Sequence, residues 1–565
     1  MKSVIDVFAV LAVAVLALMP GMLQAQTQSA GDFDNNGKVE FADFLLFAQA
    51  FGGNHAQYDL DESGKVDFPD FVRFATAFNQ SPFYILTFAD GALEAAVREA
   101  IGKSIGPIEI DDVEDLTELE FVSSRLASLD GLQRLTSLES LVIRDARRTM
   151  EPGPAPAVDL TPLSRLTGLR RLQLAGFTVN DFSPLAALSS LEGLVLSSIA
   201  SEGTLEEGQV VTAEAIDDVS FIGGLTELRA LTLWTTGGRH LRLGAEDLAA
   251  VAALPKLESL AVVGCYLPEG GLGILAGSEN LRELSVTFED FSPVDLSPLA
   301  SFPSLEHLAI GGIGLADLSP LAHLASLKKL YLGENRFGLW PSENFDSSTR
   351  LSTSITNTQV SDLSPVEGLV GLEELVIGWT EVRDFTPLAS LTGLTRLSLG
   401  GESGNLIEDI SALANLTGLE HLDLGWHPIT SLAPLENLTN LRTLSFNSRS
   451  PALTDLSPLS NLTGMTELKA YCYHVSDISA LKDLTSLRLL TLRYSAASDL
   501  TPLSGLFALE TLDLGTNGFR DLAPLSSLSA LQSVELRGNP LSEEAVATQI
   551  PALQARGVEV TYISR

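Results

Sequence analysis

Near the start of the chain, oxygen-bearing side chains fall at alternate positions in two short stretches. In the first, Asp32, Asp34, Asn36, Lys38, Glu40 and Asp43 occupy positions 1, 3, 5, 7, 9 and 12, with Gly37 at position 6. The second begins 27 residues on, with Asp59, Asp61, Ser63, Lys65, Asp67 and Asp70 around Gly64. Calcium takes six to eight hard oxygens, and alternate residues of a tight loop converge on one point when a glycine allows the sharp bend. A lysine at position 7 is no obstacle, because that ligand is a backbone carbonyl. The expected cofactor is therefore calcium, two Ca2+ ions, one per loop. The competing reading is a pair of Asp/Gly-rich turns without metal, but two tandem loops with the same spacing weigh against it.

Something must hold each loop in shape, and a helix follows each one. Phe44, Phe47, Ala48 and Phe51 keep i, i+3, i+4, i+7 spacing, and Phe71, Phe74, Ala75 and Phe78 repeat it. This loop-plus-helix pair resembles a dockerin module over about residues 31–79. The resemblance implies calcium-dependent folding and a docking partner of the cohesin kind. In dockerins, loop positions 10 and 11 meet that partner with small polar residues. Here they are Phe41-Ala42 and Phe68-Pro69, so calcium carries over and cohesin binding does not.

Ahead of the loops, Lys2 precedes an apolar run from Val7 to Leu18, then Pro20-Gly21 and Leu23-Gln24-Ala25. That order resembles a secretory signal peptide ending at Ala25. The run is too short to span a bilayer, and no other stretch is long and apolar enough. The expectation is a secreted, extracellular or cell-surface protein with no membrane span. The formal charge is −37, with 35 basic and 72 acidic residues. Phosphate backbones attract Lys and Arg, so nucleic acid is set aside as a partner. Two cysteines make no disulfide framework.

From residue 116 on, leucines recur at L-x-x-L-x-L-x-x-N spacing. The last anchors, Leu441, Met465, Leu487, Leu509 and Leu531, are 24, 22, 22 and 22 residues apart. A fixed period of this size means stacked repeats that bury their apolar edges against each other. The other anchors are Leu116, Leu138, Leu169, Leu191, Leu228, Leu257, Leu281, Leu305, Leu327, Leu351, Leu372, Leu394 and Leu419, giving 18 candidate strands; that at Leu351 is degenerate. The return segment carries Asp-Leu-Ser-Pro-Leu or a near copy, as at Asp295, Asp317 and Asp455. Its Ser or Thr reads as a helix N-cap and its Pro as the first helical residue. Asp90 to Gly102 reads as a capped helix over the first repeat, and Ser542 to Ile550 as a closing helix. The period and its D-L-S-P-L step resemble bacterial leucine-rich repeats of the internalin type over roughly residues 83–565. That resemblance implies extracellular recognition, commonly of proteins, and names no ligand.

The expected fold is an α/β solenoid: a leucine-rich repeat horseshoe with a parallel concave sheet, preceded by a small all-α EF-hand pair. Expected boundaries are 1–25 signal peptide, 26–79 calcium module, 83–115 N-terminal cap, 116–538 repeats and 539–565 C-terminal cap. A protein ligand is expected on the concave face or on rim loops, where insertions lengthen the anchor spacing, notably Arg147 to Ala157 and Ser198 to Asp217. Aromatics at the seventh and eighth positions, Trp234, Phe288, Trp379, Trp426, Tyr471 and Tyr494, either anchor a ligand or pack under neighbouring loops.

Catalytic signals are weak. The histidines form no metal-ligand pattern, and no His-Glu-x-x-His, Gly-x-Ser-x-Gly or P-loop sequence occurs. Cys265 and Cys472 lie nine strands apart, roughly 43 Å, too far to pair. The sequence reads as a binding protein rather than an enzyme. The alternatives are a scaffold or matrix component docked through the calcium module, and an accessory to a polysaccharide-active enzyme.

Overall fold

The computed structural model describes residues 31, 33, 39, 41–80, 85–123, 126, 128–145, 157–176, 179–197, 219–234, 241–268, 270–288, 293–312, 314–333, 358–378, 380–400 and 407–563. The signal-peptide segment and the loops at 147–156 and 198–217 lie outside these residues. The chain divides into two compact units: one holds the residues up to Phe121 with Ala127–Glu139, the other Val122–Leu126 with the residues from Ser140 on.

In the first unit the two phenylalanine-rich segments are helices, α1 (Phe41–Ala50) and α2 (Phe68–Gln80). Phe33, Val39, Phe47, Val66, Phe71 and Phe74 form one core. Its centre is a pile of rings, with Phe74 stacked on Phe47 at 5.2 Å and on Phe33 at 5.6 Å. Val39 and Val66 both sit at loop position 8, so each loop sends one apolar side chain inward. A third helix, α3 (Gly91–Ala100), begins where the Asp90 side chain accepts from the backbone N–H groups of Ala92 and Leu93, as the capping pattern predicts. It buries Leu93 and Val97 and stops at Gly102, whose φ of +67° suits the left-handed position past a helix end. The first repeat strand, β1 (Glu118–Ser123), alternates outward and inward residues without exception.

The second unit is one ladder of parallel strands. They are β2 (Ser140–Asp145), β3 (Arg171–Ala175), β4 (Gly193–Ser197), β5 (Ala230–Trp234), β6 (Leu241–Arg242), β7 (Ser259–Tyr266), β8 (Glu283–Phe288), β9 (His307–Gly312) and β10 (Lys329–Leu332). They continue as β11 (Glu374–Ile377), β12 (Arg396–Ser398), β13 (His421–Trp426), β14 (Thr443–Ser448), β15 (Glu467–Cys472), β16 (Leu489–Arg493), β17 (Thr511–Asp513), β18 (Ser533–Glu535) and β19 (Glu559–Thr561). Corresponding leucines pair across repeats, as in Leu468↔Leu490 and Leu490↔Leu512. The two-residue β6 bonds beside the far end of β7.

The expected strand at Leu351 lies outside the described residues, and β10 pairs directly with β11. The ladder thus carries no rung from that segment between them. The physical reason is in the sequence: Ser354 and Thr356 stand where a rung needs inward leucines, and buried hydroxyls cannot replace that apolar contact.

Anchor and strand leucines such as Leu509, Leu512 and Leu514 are at most 1% exposed. Each fully buried leucine contributes about 1.5–3 kcal/mol relative to an exposed one. Inward asparagines close the strand ends. Asn517 Nδ2 donates to the carbonyls of Leu492 and Leu514, and its Oδ1 accepts from the Ser495 backbone N–H and hydroxyl. These are carbonyls that the strands leave unpaired in the core, so the repeat's Asn is a hydrogen-bonding requirement.

The return turns correct one expectation. Ser or Thr before Pro does not cap; it is the first residue of a short 3-10 helix, as at Ser297–Ser301. The cap is the aspartate two residues earlier. Asp295, Asp317, Asp362, Asp384, Asp455 and Asp499 each accept from the backbone N–H two residues on. The same bonds from hydroxyl and backbone hold Asp362, Asp384 and Asp499 below the usual carboxylate range. At the far end the closing helix outruns its expected stop at Ile550. A π-helical stretch, Ala545–Gln549, leads into the α-helix Ile550–Ala555, so Pro551 falls in the first turn of the second segment, where no N–H is needed.

Candidate functional site

The second of the two Asp-rich loops gathers its acids. The carboxylates of Asp59, Asp61 and Asp70 present oxygens within 4.8 Å of one another. Asp70 is fully buried and accepts from the backbone N–H groups of Leu60, Asp61 and Asp67. Gly64 at position 6 has φ +88°, a conformation that side chains resist. Among the described residues, Asp67 Oδ1 is buried without a hydrogen-bond partner, and an orphaned buried acceptor costs free energy unless something else satisfies it. The residues present therefore fit a hard cation. In the first loop, Asp43 is likewise buried and accepts from Phe33 N–H, the counterpart of the Leu60 bond to Asp70. Asp32, Asp34, Asn36, Lys38 and Glu40 lie outside the described residues.

The repeat array holds a second feature, at the C-terminal ends of β13 to β16. In most late repeats the ninth residue from the anchor turns inward: His427, Ser495 and Asn517 are buried. The eighth is then turned outward, giving Trp426, Tyr494 and Thr516. This reversal needs a left-handed residue, supplied by Gly425 (φ +59°), Tyr494 (φ +58°) and Thr516 (φ +59°). In the repeats of β14 and β15 the turn comes one residue sooner. Ser448 and Cys472 fill the interior, and the ninth residues, Arg449 and Tyr473, face out instead.

Four planar groups from four consecutive repeats are thereby laid side by side. The Arg449 guanidinium lies 5.7 Å from the Trp426 ring centre and 5.5 Å from that of Tyr473. Tyr473 stacks on Tyr494 at 5.2 Å and 9°. Tyr471 leans on Tyr494 at 6.3 Å. The spacing follows from the sheet, since neighbouring strands lie about 4.8 Å apart, near the separation at which rings stack. Trp426 is 50% and Tyr494 38% exposed. Among the described residues, Arg449 has no acidic partner within 4 Å. Its neighbours do: Arg493 pairs with Asp513 at 2.7 Å, which raises the guanidinium's pKa further, and Arg537 pairs with Glu535 at 2.7 Å. Tyr494 combines an aromatic side chain with left-handed backbone, a combination costing about 1–3 kcal/mol and often kept where function requires it.

The other aromatics expected at this surface divide. Tyr471 is half-buried and belongs to the strip. Trp234 is half-buried in β5, away from the strip, and its Nε1 is buried without a partner among the described residues. The Phe288 side chain and Trp379 lie outside the described residues. Arg449 and Tyr473 were not among the expected positions. The signal that finds them is a small residue at position 8 of a repeat lacking Asn at position 9. Cys472 is a free thiol whose burial pushes its pKa up to about 12, which leaves it a packing residue.

At the opposite edge, where the strands begin, basic and acidic residues alternate along the repeats. Arg170–Glu192, Arg229–Glu258, Arg282–Glu306 and Lys328–Glu306 are ion pairs of 2.5–2.7 Å. On the sheet face itself, His307 Nδ1 and Ser259 Oγ both bond to the Glu283 carboxylate at 2.9 Å. These three residue types can form a nucleophilic triad, but here the serine donates to the acid, whereas in a triad it donates to the imidazole.

A family match supports the repeat assignment. Residues 417–461 match the family described as Leucine Rich repeats (2 copies). No curated protein matches the sequence. Many solved chains are similar in fold. An internalin (internalin F) from Listeria monocytogenes is 22% identical with a TM-score of 0.37, over 79% of this chain and 95% of its own. A leucine-rich repeat protein of Leptospira interrogans is 18% identical with a TM-score of 0.48, over 80% of this chain and 97% of its own. The ectodomain of the plant membrane receptor kinase GASSHO1/SCHENGEN3 from Arabidopsis thaliana, solved with CASPARIAN STRIP INTEGRITY FACTOR 2, is 18% identical with a TM-score of 0.46, over 74% of this chain and 53% of its own. At these identities the likeness concerns the repeat fold alone. No helix among the described residues is long and apolar enough to cross a membrane.

Proposed function

We propose that this chain is a secreted binding protein. Its leucine-rich repeat array captures a protein ligand along the strip Trp426, Arg449, Tyr473 and Tyr494, and its first unit folds around two calcium ions. The stack of four planar groups is the observation that carries the reading. Aromatic rings and arginine dominate the energetics of protein interfaces because they bury large, rigid surfaces at low entropic cost. Here they are already ordered by one another, so little rotamer freedom remains to be lost on binding. Screening the secreted chain against a surface-protein array, then repeating with Trp426→Ala, tests this; partners retained in full by the variant exclude the strip.

For calcium, the second-loop set is Asp59, Asp61, Ser63, the Lys65 carbonyl, Asp67 and Asp70, and the first-loop set is Asp32, Asp34, Asn36, the Lys38 carbonyl, Glu40 and Asp43. A bound ion supplies the positive charge that the converging carboxylates lack. The full chain should take up two ions per molecule by calorimetry and gain helix by circular dichroism. Asp59→Ala with Asp61→Ala should leave one. No uptake at millimolar calcium defeats the proposal.

A second reading, docking through the first unit, is favoured by one observation. Phe68 and Val72, one turn apart on α2, are 52% and 45% exposed. If they meet a partner, Phe68→Ser with Val72→Ser removes it while partners of the strip remain.

A further inference from the structure

We infer that the strip takes an acidic segment of its protein partner, with a Glu or Asp carboxylate seated on the edge of Arg449. This rests on the reading of the strip as the recognition surface and names the chemistry it selects. Arg449 lies against two rings, its Cζ 5.7 Å from the Trp426 ring centre and 5.5 Å from that of Tyr473. The rings attract the cation through their faces, and what its N–H donors match is an oxygen acceptor. Tyr473 likewise lies against two planar groups, Arg449 and Tyr494. Its exposed rim is the electropositive rim of an aromatic quadrupole. The strip therefore presents donors and positive edges, and its complement is rich in acceptors.

Charge sharpens this. The chain carries 72 acidic residues against 35 basic ones. Arg493 and Arg537, and Arg170, Arg229 and Arg282 at the opposite edge, each have an acidic partner. Arg449 has two rings instead, and among the described residues no acidic partner. It is held ready and uncompensated. A carboxylate matches its edge in plane, through two parallel N–H···O bonds. A single negative charge also meets less repulsion from a chain of this net charge than a phosphate dianion would. The exposed faces of Trp426 and Tyr494 at the two ends of the stack suit apolar residues flanking the acid.

The test uses the full chain and a defined probe, the random copolymer of glutamate and tyrosine, titrated by fluorescence anisotropy in buffer at physiological salt. Arg449→Gln keeps a planar, stackable end and removes the charge; Arg449→Lys keeps the charge and removes the plane. The copolymer should bind the native chain. Arg449→Gln should weaken binding by about ten- to hundredfold, as expected for losing a hydrogen-bonded charge, and Arg449→Lys should fall between. Circular dichroism and the melting temperature confirm that both variants fold. Absence of binding, or equal binding by the native chain and Arg449→Gln, overturns the inference. If the copolymer fails while Trp426→Ala still abolishes capture of array partners, the strip remains the recognition surface and only the acidic ligand is excluded.

Discussion

Where the strands begin, Arg170, Arg229, Arg282 and Lys328 each reach a glutamate in the neighbouring repeat. Where β13 to β16 end, Arg449 reaches two rings. Both edges belong to the same ladder, with the same leucines beneath and the same strand spacing. Over these repeats the leading edge is closed: these four cations pair with glutamates, and exposed pairs of this kind contribute about 0–1 kcal/mol each. The trailing edge is open, with exposed apolar area, a cation without an acidic partner among the described residues and a residue held in left-handed backbone. A repeating scaffold can thus be told from a recognition surface by asking which side chains have their needs met within the chain.

The same question separates the aspartates. Those of the return turns are satisfied two residues away, as Asp362 is by Ser364 and Asp384 by Thr386. Asp59, Asp61 and Asp70 also accept backbone N–H groups, Asp61 from Ser63 two residues on, but in addition their carboxylates converge on one another. Identical residue types serve as scaffold in one place and as a candidate ligand set in the other.

The largest test of the comparison strikes what the two edges share. Leu444, 1% exposed in β14, lies between Arg442 at the leading edge and Arg449 at the trailing edge. Leu444→Ala should cost roughly 2–5 kcal/mol and raise hydrogen exchange at both edges of β13, β14 and β15, since repeats depend on their neighbours. A change confined to one edge would break the picture of a common core.

Next in size is the strained residue. Tyr494→Ala loses the stack and keeps the left-handed backbone. Tyr494→Gly loses the stack and relieves it. The glycine variant should be the more stable of the two by about 1 kcal/mol in denaturant unfolding, and both should bind more weakly than the native chain. An alanine variant as stable as the glycine variant would mean the backbone at 494 is not strained.

The smallest effect belongs to the leading edge. Glu306→Gln removes the partner of both Arg282 and Lys328. It should cost less than about 1 kcal/mol, with little left at high salt, and leave ligand binding unchanged.

The leucine ladder is readable from the residues alone because each rung repeats the same inward positions, so an anchor such as Leu509 places its strand without any structure. The capping aspartates are hidden because Ser-Pro looks like a helix start, whereas the backbone there is too tight for a serine cap and the Asp two residues back reaches the open N–H. Trp426, Tyr471 and Tyr494 are visible as aromatics at variable positions. Arg449 and Tyr473 are not, because their outward direction depends on Ser448 and Cys472 filling the interior one residue early. A one-residue shift exchanges inside for outside, and a pattern that assumes a constant register cannot show it.

The central claim is that recognition belongs to the trailing edge. The direct measurement is the dissociation constant of a protein partner recovered from the array, for the native chain, for Trp426→Ala with Tyr473→Ala, and for Arg282→Ala with Glu306→Ala. Truncating interface aromatics often costs 2 kcal/mol or more, about thirtyfold in affinity. The trailing-edge pair should lose at least that, and the leading-edge pair less than about twofold, as expected of exposed ion pairs remote from the contact. Equal losses from the two pairs, or a larger loss from the leading edge, would contradict the account.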